Sequence, residues 1–153
     1  MNKHFLNLKE YGSTAVVDLV YGALELKKGS QQKNLNGKYL ALIFEKSSTR
    51  TRLSFEVAMN QLGGRASFLS VSDLQLGRGE PISDTSKIIS SMADGIVLRT
   101  LKHSTLEKFA ESSSVPTING LTDLSHPCQL LADMLTFVEH KGSLENKKVC
   151  WVG

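Results

Sequence analysis

The chain is short of the residues that staple or punctuate a fold. Among its 153 residues are 2 cysteines, 3 prolines and 1 tryptophan. The cysteines, Cys128 and Cys150, make neither a metal-ligand spacing nor a disulfide framework, and the compartment this implies is the reducing cytoplasm. Scarce proline, with 41% hydrophobic and 22% charged residues, excludes collagen-like and disordered chains. An excess of one charge is also missing. The 18 Lys+Arg and 15 Asp+Glu leave +3, with bases and acids interleaved, so nothing points to nucleic acid. No apolar run approaches the ~18 residues of a membrane span; the longest is Tyr39 to Phe44. Met1-Asn2-Lys3-His4-Phe5 leads into polar sequence and not into the apolar stretch of a signal peptide. Internal repeats are absent. What remains is a soluble globular chain of one-domain length, long enough to bury its own core.

The hydrophobic pattern alternates between helix and strand. Ser13 reads as the cap of a helix ending near Gly29, with Val16, Val17, Leu19, Val20, Ala23, Leu24 and Leu26 inward. Gln31, Gln32, Asn34, Asn36 and Gly37 mark a loop. Tyr39 to Phe44 has no polar alternation and reads as a strand buried on both faces. Thr49 to Leu62 is helical, with Leu53, Phe55, Val57, Ala58 and Leu62 inward and Gly63-Gly64 as the stop. Further strands are expected at Ala66–Val71, Gly95–Leu98 and Val115–Ile118. Further helices are expected from after Ser83 to Met92, over Thr105–Ser112, and from Pro127 to about His140, the last with Leu130, Leu131, Met134, Leu135 and Val138 inward. A loop from Ser72 to Pro81 separates the second strand from the third helix. Lys148 to Val152 reads as the start of a fifth strand. This order predicts an α/β fold, an open parallel sheet with helices on both faces. Such sheets bind ligands beyond the C-terminal ends of their strands.

Three segments fall at that edge. Ser47-Ser48-Thr49-Arg50-Thr51-Arg52 follows the buried strand and opens a helix, where unpaired N–H groups and the positive dipole end make an anion site. Ser48, Thr49 and Thr51 add hydroxyls, and Arg50 adds a fork of donors suited to phosphate. The plainer reading is a Ser48 cap with solvated arginines. Arg99 ends the third strand and either faces the same crevice or pairs with Asp94. His126 stands at the entrance of the last helix, where Pro127 suits the first helical position, and Gln129 lies within reach of the same turn. Here the plainer reading is a capped helix start. Cys128 reads as a small packing residue. Gly37-Lys38 lacks a Walker pattern, and Gly77-Arg78-Gly79 lacks the third glycine of a dinucleotide fingerprint. Neither a carboxylate pair nor a metal cluster stands at this edge. The set suits a small phosphorylated anion, held and polarised by position and charge.

Phe44-Glu45-Lys46-Ser47-Ser48-Thr49-Arg50-Thr51-Arg52-Leu53-Ser54-Phe55-Glu56 resembles the carbamoyl-phosphate signature of the aspartate and ornithine carbamoyltransferases. Leu76 to Thr85, Asp94-Gly95-Ile96-Val97-Leu98-Arg99 and His126-Pro127-Cys128-Gln129-Leu130-Leu131-Ala132-Asp133 follow in the family's order and spacing, so the resemblance covers essentially the whole chain. Glu45-Lys46, the Leu-Gly-Arg-Gly-Glu-Pro loop and the His-Pro-Cys-Gln form favour the ornithine branch. Arg78 stands where the aspartate branch usually places a catalytic lysine.

The resemblance implies a role for each of these residues. Ser48, Thr49, Arg50 and Thr51 would bind the phosphate of carbamoyl phosphate. Arg99 would bridge phosphate and carbonyl oxygen, His126 would bond the carbonyl, and Gln129 the amino group. Arg99, His126, Gln129 and Thr51 would form the catalytic set. Gln75 would be lent to a neighbouring subunit's site in a homotrimer. It implies no cofactor and no metal, and L-ornithine as acceptor in arginine biosynthesis. Residues 1–146 would be the carbamoyl-phosphate-binding domain and 147–153 the first strand of a second, ornithine-binding lobe whose remainder the chain lacks. Two alternatives stay open: a module that binds carbamoyl phosphate or phosphate without turnover, and an enzyme whose acceptor is aspartate, putrescine or an acylated ornithine.

Overall fold

The computed structural model describes residues 4–29, 34–70, 79–150 and 152. The elements run α1 (Ser13–Lys27), β1 (Tyr39–Phe44), α2 (Thr49–Gln61), β2 (Arg65–Ser70), α3 (Ile82–Met92), β3 (Gly95–Arg99), α4 (His103–Ser112), β4 (Thr117–Leu121) and α5 (Pro127–Lys141). The four strands form one sheet in the order β2-β1-β3-β4, every pair parallel. The parallel α/β sheet expected from the sequence is therefore the observed one.

The strand order explains where a ligand would sit. From β1 the chain moves to β2 on one side, then crosses back to β3 on the other side of β1. Connections leave in opposite directions at the C-terminal ends of β1 and β3, and a crevice opens at such a switch point. Phe44 and Arg99 pair at that end.

The sheet's alternation divides the core. Ala41, Ile43, Ile96 and Leu98 pack with Ile89 of α3 and with Leu106 and Phe109 of α4. Leu40, Leu42, Phe44 and Val97 pack on the opposite face with Met59 of α2. Successive side chains of a strand point to opposite faces, so both sides of β1 and β3 are dry. Each fully buried Leu, Ile or Phe contributes about 1.5–3 kcal/mol. At the flank α1 packs on α5, with Lys27 Nζ 2.7 Å from Glu139 Oε1.

Several expectations need correction. Gly12 caps α1 and Ser13 is its first helical residue, with no side-chain cap bond. Val17 and Leu19 are exposed, as is Ala23; α1 packs mainly on α5 and buries Val20 alone among its described residues. On α2 Leu53 and Val57 are exposed, and Met59 is the buried contact. On α5 Leu130 is exposed. The fourth strand starts at Thr117 and extends to Leu121, later than expected, since Pro116 has no N–H for a ladder. Phe5 adds a parallel bridge to Ile118 at this edge, which the polar N-terminal sequence did not suggest. Among the described residues, Lys148, Val149, Cys150 and Val152 are not in a strand. The expected loop positions Gln31, Gln32 and 72–78, the strand end Val71, and Trp151 lie outside the described residues.

Candidate active site

The entrance of α2 has the geometry of a capped helix N-terminus, the kind of place where anions bind. Ser48 is its N-cap, with extended backbone at φ −153° and ψ 110°. The Ser48 Oγ accepts the Thr51 N–H at 3.4 Å, and the Ser48 carbonyl accepts the Arg52 N–H at 3.3 Å. The first turn of α2 holds no acidic residue. Nothing in that turn offsets the positive end of the dipole, whose first N–H groups lack intrahelical acceptors. Thr49 and Arg50 are exposed there. Arg52 is occupied otherwise: its Nε lies 3.0 Å from Glu56 Oε1, and its guanidinium stacks 3.9 Å above the Phe68 ring. A cavity of about 400 Å³ beside this helix start is lined by Ser47, Ser48, Thr49, Arg52 and Phe68, among others.

Arg99 enters from β3. Its Nη1 donates to Thr51 Oγ1 at 3.4 Å, while its Nε is buried without a partner. The alternative pairing with Asp94 does not occur. Asp94 instead receives Lys38 Nζ at 2.8 Å and the Tyr39 N–H at 2.9 Å, and these bonds hold its carboxyl below the usual range.

His126 is the N-cap of α5, with Pro127 at the first helical position. Its Nδ1 is buried without a partner. Burial pushes its pKa below the ordinary value, the nearby Arg99 charge pushes the same way, and Asp133 opposes them. A neutral imidazole beside a fixed guanidinium can donate a hydrogen bond to a developing oxyanion. Two orphaned buried nitrogens in one crevice are unusual, because buried polar groups normally have partners.

Hydrogen bonds thus join Ser48, Thr51 and Arg99, His126 lies close enough to Arg99 to feel its charge, and Thr49 and Arg50 are exposed. Gln129 is not joined to His126 through its side chain. It is exposed, and its Nε2 donates to Asp133 Oδ1 at 2.8 Å. Gln75 lies outside the described residues. Cys128 is the expected packing residue, its thiol raised by burial to about 11.

One contributor went unnoticed as a side chain in its own right. The Glu45 carboxylate accepts from Thr100 Oγ1 at 2.5 Å and from the Leu101 N–H at 2.7 Å. The Glu45 N–H in turn donates to the Arg99 carbonyl at 2.8 Å. It clasps the loop after β1 to the loop after β3. Its partners lie 55 and 56 residues away, so no local pattern could have revealed it.

Fold and crevice together define a parallel α/β domain with a helix N-terminus, an arginine and a histidine gathered near the switch point of its sheet. Residues 3–139 match the family described as aspartate/ornithine carbamoyltransferase, carbamoyl-P binding domain, and the chain belongs to that family. It is 60% identical over 155 aligned residues to an ornithine carbamoyltransferase of Hydrogenovibrio crunogenus, covering 99% of this chain and 51% of the relative. It is 52% identical to an anabolic ornithine carbamoyltransferase of Pseudomonas aeruginosa, again over 99% of this chain and 51% of the relative. Among solved structures, anabolic ornithine carbamoyltransferase from Campylobacter jejuni superimposes with a TM-score of 0.86 at 50% identity, covering 90% of this chain and 45% of that one. Acetylornithine transcarbamylase complexed with acetylcitrulline superimposes at 0.85 with 30% identity, covering 95% of this chain and 50% of that one. The chain spans about half the length of the curated relatives it matches.

Proposed function

We propose that the chain is the carbamoyl-phosphate-binding half of an ornithine carbamoyltransferase, which joins carbamoyl phosphate and L-ornithine into citrulline and phosphate in arginine biosynthesis. The observation that carries this reading is the pair of unpartnered buried nitrogens, Arg99 Nε and His126 Nδ1, beside the uncompensated N-terminus of α2. Phosphate sits on the α2 entrance, held by Ser48, Thr49, Arg50 and Thr51. Arg99 spans phosphate and carbonyl oxygen, His126 bonds that oxygen, and Gln129 turns from Asp133 to bond the carbamoyl amino group. When the neutral δ-amine attacks the carbamoyl carbon, charge gathers on the carbonyl oxygen, where Arg99, His126 and Thr51 stabilise it. The C–O bond to phosphate then breaks while the proton of the attacking nitrogen passes to the departing phosphate, whose charge rests on Arg50 and the helix dipole.

The acceptor pocket belongs to a second lobe beyond residue 146, of which residues 147–153 are the start. Gln75 completes the site of a neighbouring subunit in a homotrimer, and the enzyme works in the cytoplasm. Identities of 52–60% to ornithine carbamoyltransferases against 30% to the acetylornithine enzyme support ornithine over its acylated form.

Calorimetric titration of the 153-residue chain with carbamoyl phosphate tests the reading. Saturable binding, competed by inorganic phosphate, is expected. No binding of either anion overturns it. Supplied with both substrates, the chain alone is expected to form no citrulline; a colorimetric citrulline signal overturns the placing of the acceptor pocket in the second lobe.

A further inference from the structure

Asn119 is fully buried in β4, and a buried carboxamide is stable only when both its ends are bonded. The Nδ2 donates to the Leu6 carbonyl at 2.8 Å, and to the Ser125 carbonyl and Oγ at 3.3 Å each. The Oδ1 accepts the Leu121 N–H at 2.9 Å. Its main chain is used as well: the N–H donates to the Phe5 carbonyl at 2.8 Å, and the carbonyl accepts the Cys128 thiol at 3.6 Å.

Two of these bonds lead to the crevice. The first leads to Arg99. The register pairs Leu98 with Asn119 but Arg99 with Leu121, which leaves Gly120 as the extra residue of a bulge. Bulges bend a strand and re-aim the side chains beside them. A Cβ at Gly120 would fall 2.9 Å from Val97 Cγ1 and 3.4 Å from Arg99 Cβ, so the absence of a side chain lets β4 lie close against Arg99. Leu121 has φ +140°, a value L-residues rarely adopt, and such strain persists only where surrounding bonds over-determine it. The Asn119 Oδ1 bond to the Leu121 N–H is one such restraint. The Leu121 carbonyl in turn accepts the Thr100 N–H at 3.2 Å, which fixes the chain just after Arg99.

The second bond leads to His126. Ser125, bonded to Asn119 twice, immediately precedes it, and the Asn119 carbonyl meets Cys128 on the first turn of α5. One carboxamide therefore stands a single residue away from each segment carrying an orphaned nitrogen.

We infer that Asn119 is a positioning residue of the anion site: through the Gly120–Leu121 bulge and through Ser125, its carboxamide sets Arg99 and His126 relative to one another. This rests on the carbamoyl-phosphate reading only for the ligand used to test it. Asn119 touches no reacting atom and acts through its neighbours.

The test compares Asn119→Ala with Ser86→Ala in the 153-residue chain. Ser86 is equally buried, but its Oγ bonds the Phe109 carbonyl at 2.7 Å in the α3–α4 layer. Three readouts are taken: thermal melting, calorimetric affinity for carbamoyl phosphate, and the NMR titration of the His126 imidazole, which is faced by Arg99 and Asp133. Asn119→Ala is expected to bind at least tenfold more weakly and to titrate His126 at higher pH, as Arg99 moves away from it. Ser86→Ala is expected to melt lower with affinity and titration unchanged. Gly120→Ala disturbs the same bulge without removing a side-chain bond and is expected to repeat the Asn119→Ala pattern. Wild-type affinity and wild-type His126 titration in Asn119→Ala, or in Gly120→Ala should the first not fold, overturn the inference. A wild-type chain that binds no carbamoyl phosphate refutes the function proposed above instead, and the His126 titration then decides the role of Asn119 by itself.

Discussion

Arg99 Nη1 donates to Thr51 Oγ1 at 3.4 Å, tying the end of β3 to the first turn of α2 across the switch point. Thr51 is itself fixed by its N–H bond to Ser48 Oγ. The guanidinium is thus held at the start of α2 by one nitrogen while its buried Nε remains open. Such a donor set is oriented before any anion arrives, which lowers the cost of ordering it on binding.

Arg99→Ala removes a charged donor from a partly buried site. A lost charge-assisted bond costs about 1.5–3 kcal/mol, so carbamoyl-phosphate affinity should fall roughly ten- to hundredfold. Arg50→Ala, from the exposed rim, should fall at the lower end of that range. Arg99→Lys should recover only part of the loss, since an ammonium cannot reproduce the planar fork. Calorimetry decides each case, and unchanged affinity in both alanine variants removes these arginines from the site.

His126 gives the fold a pH dependence whose sign follows from its lowered pKa. An unfolded histidine titrates near 6.5, and the folded one titrates lower. Between the two values the unfolded chain holds more protons, so stability rises with pH. The contribution is complete above the unfolded value and is lost as pH falls through the folded one. His126→Gln removes it. Melting temperatures measured from pH 7.5 down to pH 5 should therefore fall more steeply for the wild type than for the variant, and parallel curves would refute the assignment.

The central strands and the start of α2 were legible because their causes are local, whereas the strand expected at Lys148–Val152 is not formed by its described residues. Leu40 to Phe44 could not be half-exposed without a polar alternation, though Tyr39 at the strand's start is exposed, and Ser48 before Thr49-Arg50-Thr51 marks a helix start in any context. Two-faced burial does not require every apolar residue of a flanking helix to face inward, and Leu53 and Val57 of α2 stay exposed. The bulge at Gly120 was hidden because a glycine inside a strand does not tell which neighbour approaches it. Glu45 and Asn119 act on residues brought near only by the strand order. Gln75 lies outside the described residues, and its expected role stands on the family resemblance alone.

Glu45→Ala should loosen the clasp between the loops that follow β1 and β3. Both its partners, Thr100 Oγ1 and the Leu101 N–H, lose an acceptor. Because Glu45 is exposed, water replaces part of the bonding, and the stability loss should be about 1 kcal/mol. Affinity should fall as well, despite the removal of a negative charge beside an anion site. Denaturant titration measures the first effect and calorimetry the second; tighter binding in Glu45→Ala would show that its charge outweighs its clasp.

The two cysteines should separate by reactivity. Thiolate is the reactive form, and at pH 7.5 a thiol with a pKa of about 11 holds only on the order of one thiolate in several thousand. Cys128 is also partly enclosed and directed at the Asn119 carbonyl, whereas Cys150 is exposed. A disulfide reagent such as Ellman's should therefore release one equivalent of chromophore quickly and a second only in denaturant. Because Cys128 lies beside Asn119, the slow equivalent also reports on the bulge: in Asn119→Ala it should react faster in the native state, while in Ser86→Ala it should keep its wild-type rate. Two fast equivalents in the wild type would show that the start of α5 opens readily and does not hold His126 in place.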